Sequence, residues 1–147
     1  MVASQQLSLL DLAGRQPIHW YVCYCNRENP RWWNKFLKDG YQHVQLRRPV
    51  RYGPELDDVM WIVLDPALSH LEVHLLDAQA APWHDPTVLH TQRVEAAPNW
   101  RRVREWFFFG PITCVELAKT GLGVNSWRIR TPWQLFKYLR ERGCVLR

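Results

Sequence analysis

The sequence predicts an α+β fold, an antiparallel sheet of about five strands with a cysteine-bearing helix packed on one face. Short runs rich in aromatic and β-branched residues, separated by Gly and Pro, are typical of strands joined by turns. Two segments near the C-terminus carry helix-capping residues. The length of 147 residues, 47% of them hydrophobic, suits one domain with its own core. We expect 16–147 to form this domain and 1–15 to be a flexible or partner-docked arm.

Five segments have the composition of strands, and the second carries a polar face. Alternation along this second segment places Val44 and Leu46 on one face of the sheet and Tyr41, His43 and Gln45 on the other. The segment is therefore predicted to be half-buried, with His43 in its middle. The five predicted strands are 18–25, 41–48, 59–65, 69–76 and 103–109.

The third and fourth predicted strands are expected to form a hairpin. The third is an almost continuous apolar run, which suits a central strand. The fourth alternates and is expected to turn Leu71, Val73 and Leu75 inward. Residues 26–40 are predicted to be a loop or a short helix ending at a glycine. No strand is predicted in 78–99, because this stretch contains three prolines and has weak periodicity.

Two helices near the C-terminus have clear start signals. Thr113 followed by Glu116 three residues later forms a capping box, so a helix is expected to begin at Cys114. Thr131 followed by Pro132 is the cap and first position of a second helix. Glycines follow both predicted helices and indicate where each ends.

Cys114, His43 and Asp65 are the candidate catalytic residues. A cysteine in the first turn of a helix faces unpaired amide groups, whose partial positive charge favours thiolate over thiol. Nucleophilic catalysis needs a base beside it, and His43 on the polar strand face is the candidate. Asp65, at the end of the next strand, could orient that histidine. The alternative is a buried structural cysteine, a structural histidine and an ordinary turn aspartate.

The segment around Cys114 resembles the nucleophile region of a known family. Residues 110–119 read GPITCVELAK, and a glycine pair and then Thr131-Pro132 with a Leu-rich helix follow. This pattern resembles papain-like cysteine hydrolases of the NlpC/P60 superfamily. It is most similar to their circularly permuted branch, which includes the lecithin:retinol acyltransferase-like proteins. In that branch the histidine strand precedes the cysteine helix, as His43 precedes Cys114 here.

The resemblance implies a papain-like fold and a role for each candidate residue. It implies that Cys114 is the nucleophile, His43 the general base and Asp65 the orienting group. Gln42 is the candidate for an oxyanion donor. Thr113 stands where the family has an Asp or Asn before the cysteine. The chain also resembles small proteins of tailed phages, which implies a place in or on the virion.

The expected function is a thiol hydrolase that transfers an acyl group through a Cys–His pair. Its substrate would be a cell-wall peptide or a virion protein, and it would need no cofactor or metal. The alternative is a catalytically inactive structural or adaptor protein of a virion that uses the same fold. We expect cytoplasmic synthesis, with possible virion association, because no signal peptide or membrane span is evident.

Charge is concentrated in the C-terminal third. Residues 101–147 carry 10 of the 19 Lys and Arg but only 3 of the 14 Asp and Glu, which makes this part +7 and the remainder −2. Such a basic region could meet an anionic polymer, nucleic acid or an acidic neighbour. The runs 100–102 and 127–130 interleave Trp and Arg, which would suit nucleic acid. We expect other virion proteins as partners instead, because Trp and Arg are also enriched at protein interfaces.

Two further groups of side chains could bind a metal, but simpler interpretations are favoured. His70, Glu72 and His74 alternate along one strand and could point toward one ion. A solvated hairpin face explains the same alternation. Cys23 and Cys25 with His19 form the second group, and core thiols on a central strand are the simpler interpretation of the two cysteines. A direct disulfide between them is geometrically poor, because they lie on the same face of the first strand. We expect all four cysteines to be free thiols.

Overall fold

A computed structural model describes residues 18–27, 32–53, 59–66, 70–96 and 113–146. It confirms the α+β class, with an antiparallel sheet and two α-helices. The predicted arm and the predicted strand 103–109 lie outside the described residues. None of the helices within these ranges is long and apolar enough to cross a membrane.

In the described ranges the sheet has six strands: β1 (Ile18–Cys25), β2 (His43–Arg51), β3 (Val59–Pro66), β4 (Leu71–Leu76), β5 (Val88–Ala96) and β6 (Val145–Leu146). They are arranged in the order β4-β3-β2-β1-β5-β6. All neighbouring pairs are antiparallel. Two short 3-10 helices, Trp32–Phe36 and Ala78–Ala80, lie in the connections. The helices are α1 (Cys114–Gly121) and α2 (Pro132–Glu141).

The main core lies between the sheet and the two helices. Successive side chains of a strand point to opposite faces, so every second residue of β1 and β2 faces the helices. Each buried aliphatic side chain of this kind stabilises the fold by about 1.5–3 kcal/mol. The helix-side core includes Trp20, Val22, Tyr24, Val44, Leu46, Val115, Ala118, Leu135 and Phe136. The opposite face of the sheet carries a smaller cluster of Tyr21, Cys23, Trp61 and Ala81.

Both helices begin where the capping residues predict. The Thr113 hydroxyl accepts a hydrogen bond from the backbone N–H of Glu116 at 3.2 Å. The Glu116 carboxylate pairs with Lys119 Nζ at 2.6 Å, so the first cap uses only the Thr113 half of the predicted box. The cap of α2 is complete, because Thr131 and Gln134 bond reciprocally to each other's backbone N–H.

Strand β2 begins two residues later than predicted. His43 is its first residue, not a mid-strand residue, and it pairs with the last residue of β1, Cys25. The prediction that Tyr41 shares the polar face with His43 is wrong, since Tyr41 belongs to the helix-side core. Its ring stacks on His90 with centroids 4.7 Å apart and meets the edge of Trp133. Burial of this ring against α2 therefore replaces the strand pairing that alternation suggested.

Strand β5 lies in the stretch where no strand was predicted. It pairs with β1 along its length, from Ile18 opposite Ala96 to Cys25 opposite Val88. The pairing shifts by one residue at Tyr24 and Cys25, which interrupts the period of two. The prolines that argued against a strand at 82 and 86 precede it, in the turn after the second 3-10 helix. The two-residue strand β6 was also not predicted.

Strand β4 forms the predicted hairpin with β3, but its apolar side chains are not turned into a core. Val73 is 61% exposed and Leu75 59% exposed. The cause is the position of β4 at the edge of the sheet, where no helix in the described ranges covers it. Alternation along a strand shows which residues share a face. It does not show whether another element covers that face.

Candidate active site

The structure brings Cys114, His43 and Asp65 together at one end of the sheet. Cys114 is the first residue of α1, which packs on the helix side of the sheet. His43 shares a face with its partner Cys25, and that face is the one opposite the helices. The thiol and the imidazole therefore approach each other from opposite faces, at the point where β1 ends and β2 begins. Cys114 and His43 line the same cleft.

Asp65 holds the His43 ring from the neighbouring strand. The β2–β3 register pairs Leu46 with Leu64, so Asp65 lies on the same face of the sheet as His43. Nε2 of His43 donates a hydrogen bond to Asp65 Oδ1 at 2.6 Å. His43 is 5% exposed, whereas the Asp65 side chain is part-buried. The short contact fixes the orientation of the ring and directs Nδ1 away from Asp65.

The environment favours the protonated form of His43. Burial lowers the pKa of His43, but the hydrogen bond to Asp65 and the neighbouring Cys114 thiol outweigh it and raise the pKa to about 9. For Asp65, burial raises the pKa, and the hydrogen bond from His43 more than offsets this, so the pKa lies below its ordinary value. At neutral pH the two side chains therefore form an imidazolium–carboxylate pair.

Nδ1 of His43 is the ring nitrogen left for the thiol. It is buried, and no group in the described ranges completes a hydrogen bond to it. The Cys114 thiol is close enough to contribute to the raised pKa of His43. Catalytic hydrogen bonds are commonly long in a free enzyme and tighten when substrate binds. The arrangement therefore places Nδ1, which can hold the proton of a thiolate–imidazolium pair, beside the candidate nucleophile.

Cys114 differs from the other three cysteines in its surroundings. Burial raises the pKa of both Cys23 and Cys25 to about 12, which keeps these two thiols protonated. Burial also raises the pKa of Cys144 above its ordinary value. Cys114 is part-buried, lies at a helix N-terminus and lines the cleft beside His43. It is therefore the thiol best placed to act as a nucleophile.

The cleft has a volume of about 180 Å³ and also contains Gln42. Oε1 of Gln42 accepts a hydrogen bond from the backbone N–H of Arg27 at 3.4 Å, which leaves the amide nitrogen as a donor. The backbone N–H of Cys114 is one of the first in α1 and so has no acceptor within the helix. These two groups are candidates to stabilise an oxyanion. The cleft is lined by Arg27, Asn34, Leu37, Gln42, His43, Pro66, Thr113, Cys114, Val115, Arg130 and Pro132.

A buried polar network behind Asp65 was not predicted. Gln45 Nε2 donates to Asp65 Oδ2 at 2.6 Å, and Gln45 Oε1 accepts from Arg47 Nη2 at 2.9 Å. Arg47 is 4% exposed, pairs with Asp85 at 2.5 Å and donates to the Ala80 carbonyl at 2.9 Å. Because Gln45 holds the second oxygen of Asp65, this network fixes the carboxylate that orients His43. The i, i+2 spacing of polar residues along β2 is the signal that could have revealed Gln45 and Arg47.

The structure does not assemble a metal site from the other candidates. His70 and His74 both contact the Glu72 carboxylate, at 3.1 Å and 3.2 Å. No group of three or more His, Cys, Asp or Glu suited to a metal ion occurs among the residues that the structure describes. Cys23 and Cys25 are buried on the face opposite the helices.

Comparisons with known proteins leave the family assignment open. The chain matches no protein-family model, no curated protein and no solved structure. The resemblance of the Cys114 segment to papain-like hydrolases therefore stays a hypothesis. The functional interpretation depends on the arrangement of Cys114, His43 and Asp65.

Proposed function

We propose that this protein is a papain-like thiol hydrolase that transfers acyl groups through Cys114 and His43. One observation carries the proposal. Cys114, at the start of α1, shares a cleft with a histidine whose Nε2 is held by Asp65 at 2.6 Å and whose Nδ1 is left for the thiol. Nucleophile, base and orienting group in this order are the elements of nucleophilic catalysis.

The reaction would proceed in two steps. In the reactive state the proton of Cys114 is already on His43 Nδ1, so a thiolate faces an imidazolium. The sulfur attacks a carbonyl carbon while the π electrons move to the carbonyl oxygen. The backbone N–H of Cys114 and the amide of Gln42 would donate to this oxyanion. Collapse of the intermediate forms a thioester, and the leaving group departs with the proton from His43. A water molecule, deprotonated by His43, then attacks the thioester and releases the carboxylic acid and the Cys114 thiol.

A second candidate function is that of an adaptor that binds partners without catalysis. The observation that favours it is an exposed aromatic surface beside basic residues. The Trp127 side chain is 72% exposed, and the guanidinium groups of Arg128 and Arg130 lie 5.5 Å and 6.0 Å from its ring centroid. Trp and Arg are enriched at the energetic centres of protein interfaces. The other Trp/Arg run, 100–102, lies outside the described residues.

Site-resolved alkylation separates these two functions. The protein is treated with iodoacetamide between pH 5 and pH 10, and labelling of each cysteine is followed by mass spectrometry. The variants are His43→Ala and, as a matched control, His74→Ala on the exposed edge strand. The hydrolase predicts that Cys114 reacts at pH 6, where an ordinary thiol with a pKa of about 8.5 is almost fully protonated. It also predicts that only His43→Ala removes this reactivity.

Cys23 and Cys25 act as internal controls in the same sample. Both are buried thiols and should stay unlabelled while the protein is folded. Their labelling in a variant would show that the substitution unfolds the protein. If Cys114 in the folded parent reacts no faster than a free thiol, and His43→Ala changes nothing, the hydrolase proposal is wrong.

A further inference from the structure

The cleft beside Cys114 is bordered by two cations. Arg27 follows the end of β1, on the sheet side, and Arg130 precedes the Thr131 cap of α2, on the helix side. Both contribute to the wall of the cleft that contains the thiol. The described residues that line this cleft include no Asp or Glu. A substrate entering it therefore meets positive charge from two elements of the fold.

Neither arginine is committed to an internal ion pair. Within the described ranges neither Arg27 nor Arg130 forms a salt bridge with a carboxylate, in contrast to Arg47, which is buried against Asp85. Arg27 is close enough to Asp65 for its charge to stabilise that carboxylate. The guanidinium groups of both residues are therefore available to a ligand in the cleft.

The backbone on both sides of the cleft is held by side-chain amides. The N–H of Arg27 donates to Gln42 Oε1, and the N–H of Arg130 donates to Gln134 Oε1 at 2.8 Å. Nε of Arg130 also reaches the Trp127 carbonyl at 3.5 Å. These contacts fix the backbone from which the two arginine side chains extend. A partly fixed guanidinium binds an oxyanion at a lower entropic cost than a freely moving one.

We propose that Arg27 and Arg130 select acyl substrates that carry an anionic group, a carboxylate or a phosphate, beside the reacting carbonyl. The inference rests on the proposed function and names its substrate class. Guanidinium groups bind both anions through paired N–H donors, which an uncharged substrate cannot exploit.

Two alkylating probes test this selectivity without a known substrate. Iodoacetate and iodoacetamide are similar in size, and each forms one S–C bond to the Cys114 thiolate and releases iodide. They differ in charge, so the ratio of their rates at Cys114 reports the preference of the cleft for an anion. The protonated His43 ring attracts iodoacetate as well. The informative quantity is therefore the change in this ratio when an arginine is removed.

The variants are Arg27→Gln, Arg130→Gln and the double variant, with Arg140→Gln as the matched control. Arg140 is exposed on α2, carries the same charge and does not line the cleft. A unit charge about 6 Å away in water changes the rate at which an anionic reagent alkylates the thiolate about threefold. We expect each single variant to lower the iodoacetate-to-iodoacetamide ratio about threefold and the double variant about tenfold. Arg140→Gln should leave the ratio unchanged.

Competition identifies the anion. Succinate and inorganic phosphate are each added while iodoacetate labels Cys114. The anion that slows labelling at the lower concentration in the parent, but not in the double variant, is the preferred class. The inference is overturned if the double variant keeps the parent ratio, or if Arg140→Gln lowers the ratio equally. The proposed function fails separately, when iodoacetamide labelling of Cys114 does not depend on His43.

Discussion

Asp65→Asn tests the electrostatics of the site most directly. The pKa of His43 is raised from the ordinary 6.5 to about 9, a difference that corresponds to about 3 kcal/mol in favour of the imidazolium. An amide at position 65 can still hydrogen-bond to the ring but carries no charge to stabilise it. Burial, which lowers the pKa of His43, would then be opposed only by the Cys114 thiol. We expect the pKa of His43 to fall well below about 9 in Asp65→Asn.

The same change has a defined effect on stability. Because the folded protein holds the His43 proton more tightly than the unfolded chain, this proton stabilises the fold fully below pH 6.5. The contribution is lost as the pH rises through about 9. Asp65→Asn should therefore lower the free energy of unfolding by more at pH 6 than at pH 10, with about 3 kcal/mol as the upper limit of this difference, since Cys114 supplies part of the shift. Urea denaturation at the two pH values measures this difference.

NMR titration of the histidine ring protons measures the pKa itself. His43→Gln assigns the signal among the six histidines of the chain. Cys114→Ser separates the contribution of the thiol, which also raises the pKa of His43, from that of Asp65. If His43 titrates at or below 6.5 in the parent, or if Asp65→Asn leaves its pKa unchanged, the imidazolium–carboxylate pair does not exist.

Three other substitutions test the fold around the site by urea denaturation. Asp85→Ala should lower the free energy of unfolding by about 3–5 kcal/mol, because it leaves the charge of Arg47 buried without its partner. A loss below about 1 kcal/mol would contradict the buried network. Gly121→Ala should lower the free energy of unfolding by about 1–3 kcal/mol, because the new Cβ would lie 2.7 Å from Leu46 Cδ1 in the core. An unchanged urea midpoint would show that Leu46 moves aside without cost. Val73→Lys should change stability by less than about 0.5 kcal/mol, since this side chain is exposed on the edge strand, and a large loss would show that something covers it.

The elements that could be predicted from the sequence are those whose signals are local. Strand β1 has the predicted bounds, because an uninterrupted aromatic and β-branched run admits few other structures. Helices α1 and α2 begin at the predicted residues, because Thr113 and Thr131 bind backbone N–H groups only three residues away. In each case the atoms that decide the structure are close together in the chain.

The features that could not be predicted depend on residues far apart in the chain. Strand β5 buries the polar side chains of Thr91 and Gln92, so its burial does not follow an apolar alternation. The exposure of Val73 follows from the place of β4 in the sheet, which no local pattern encodes. Arg47 and Asp85 are 38 residues apart, and only the path of the chain after β4 brings them together. The sequence around Asp85 predicts an ordinary turn residue, and the hydrogen bonds that Asp85 accepts from Thr87 are typical of such a turn.

The meeting of Cys114 and His43 depends on where β2 begins. The thiol lies on a helix that covers one face of the sheet, and the imidazole lies on the other face. The two groups can approach each other only at the end of the sheet, where the strand pairing stops. His43 occupies that pair with Cys25, and Gln42 adds one further bond to the ladder, from its N–H to the Cys25 carbonyl at 3.1 Å. A one-residue shift of β2 would exchange the faces of all its side chains and place Val44 where His43 stands. The register that buries Val44 in the core is thus the same register that presents the imidazole to the thiol.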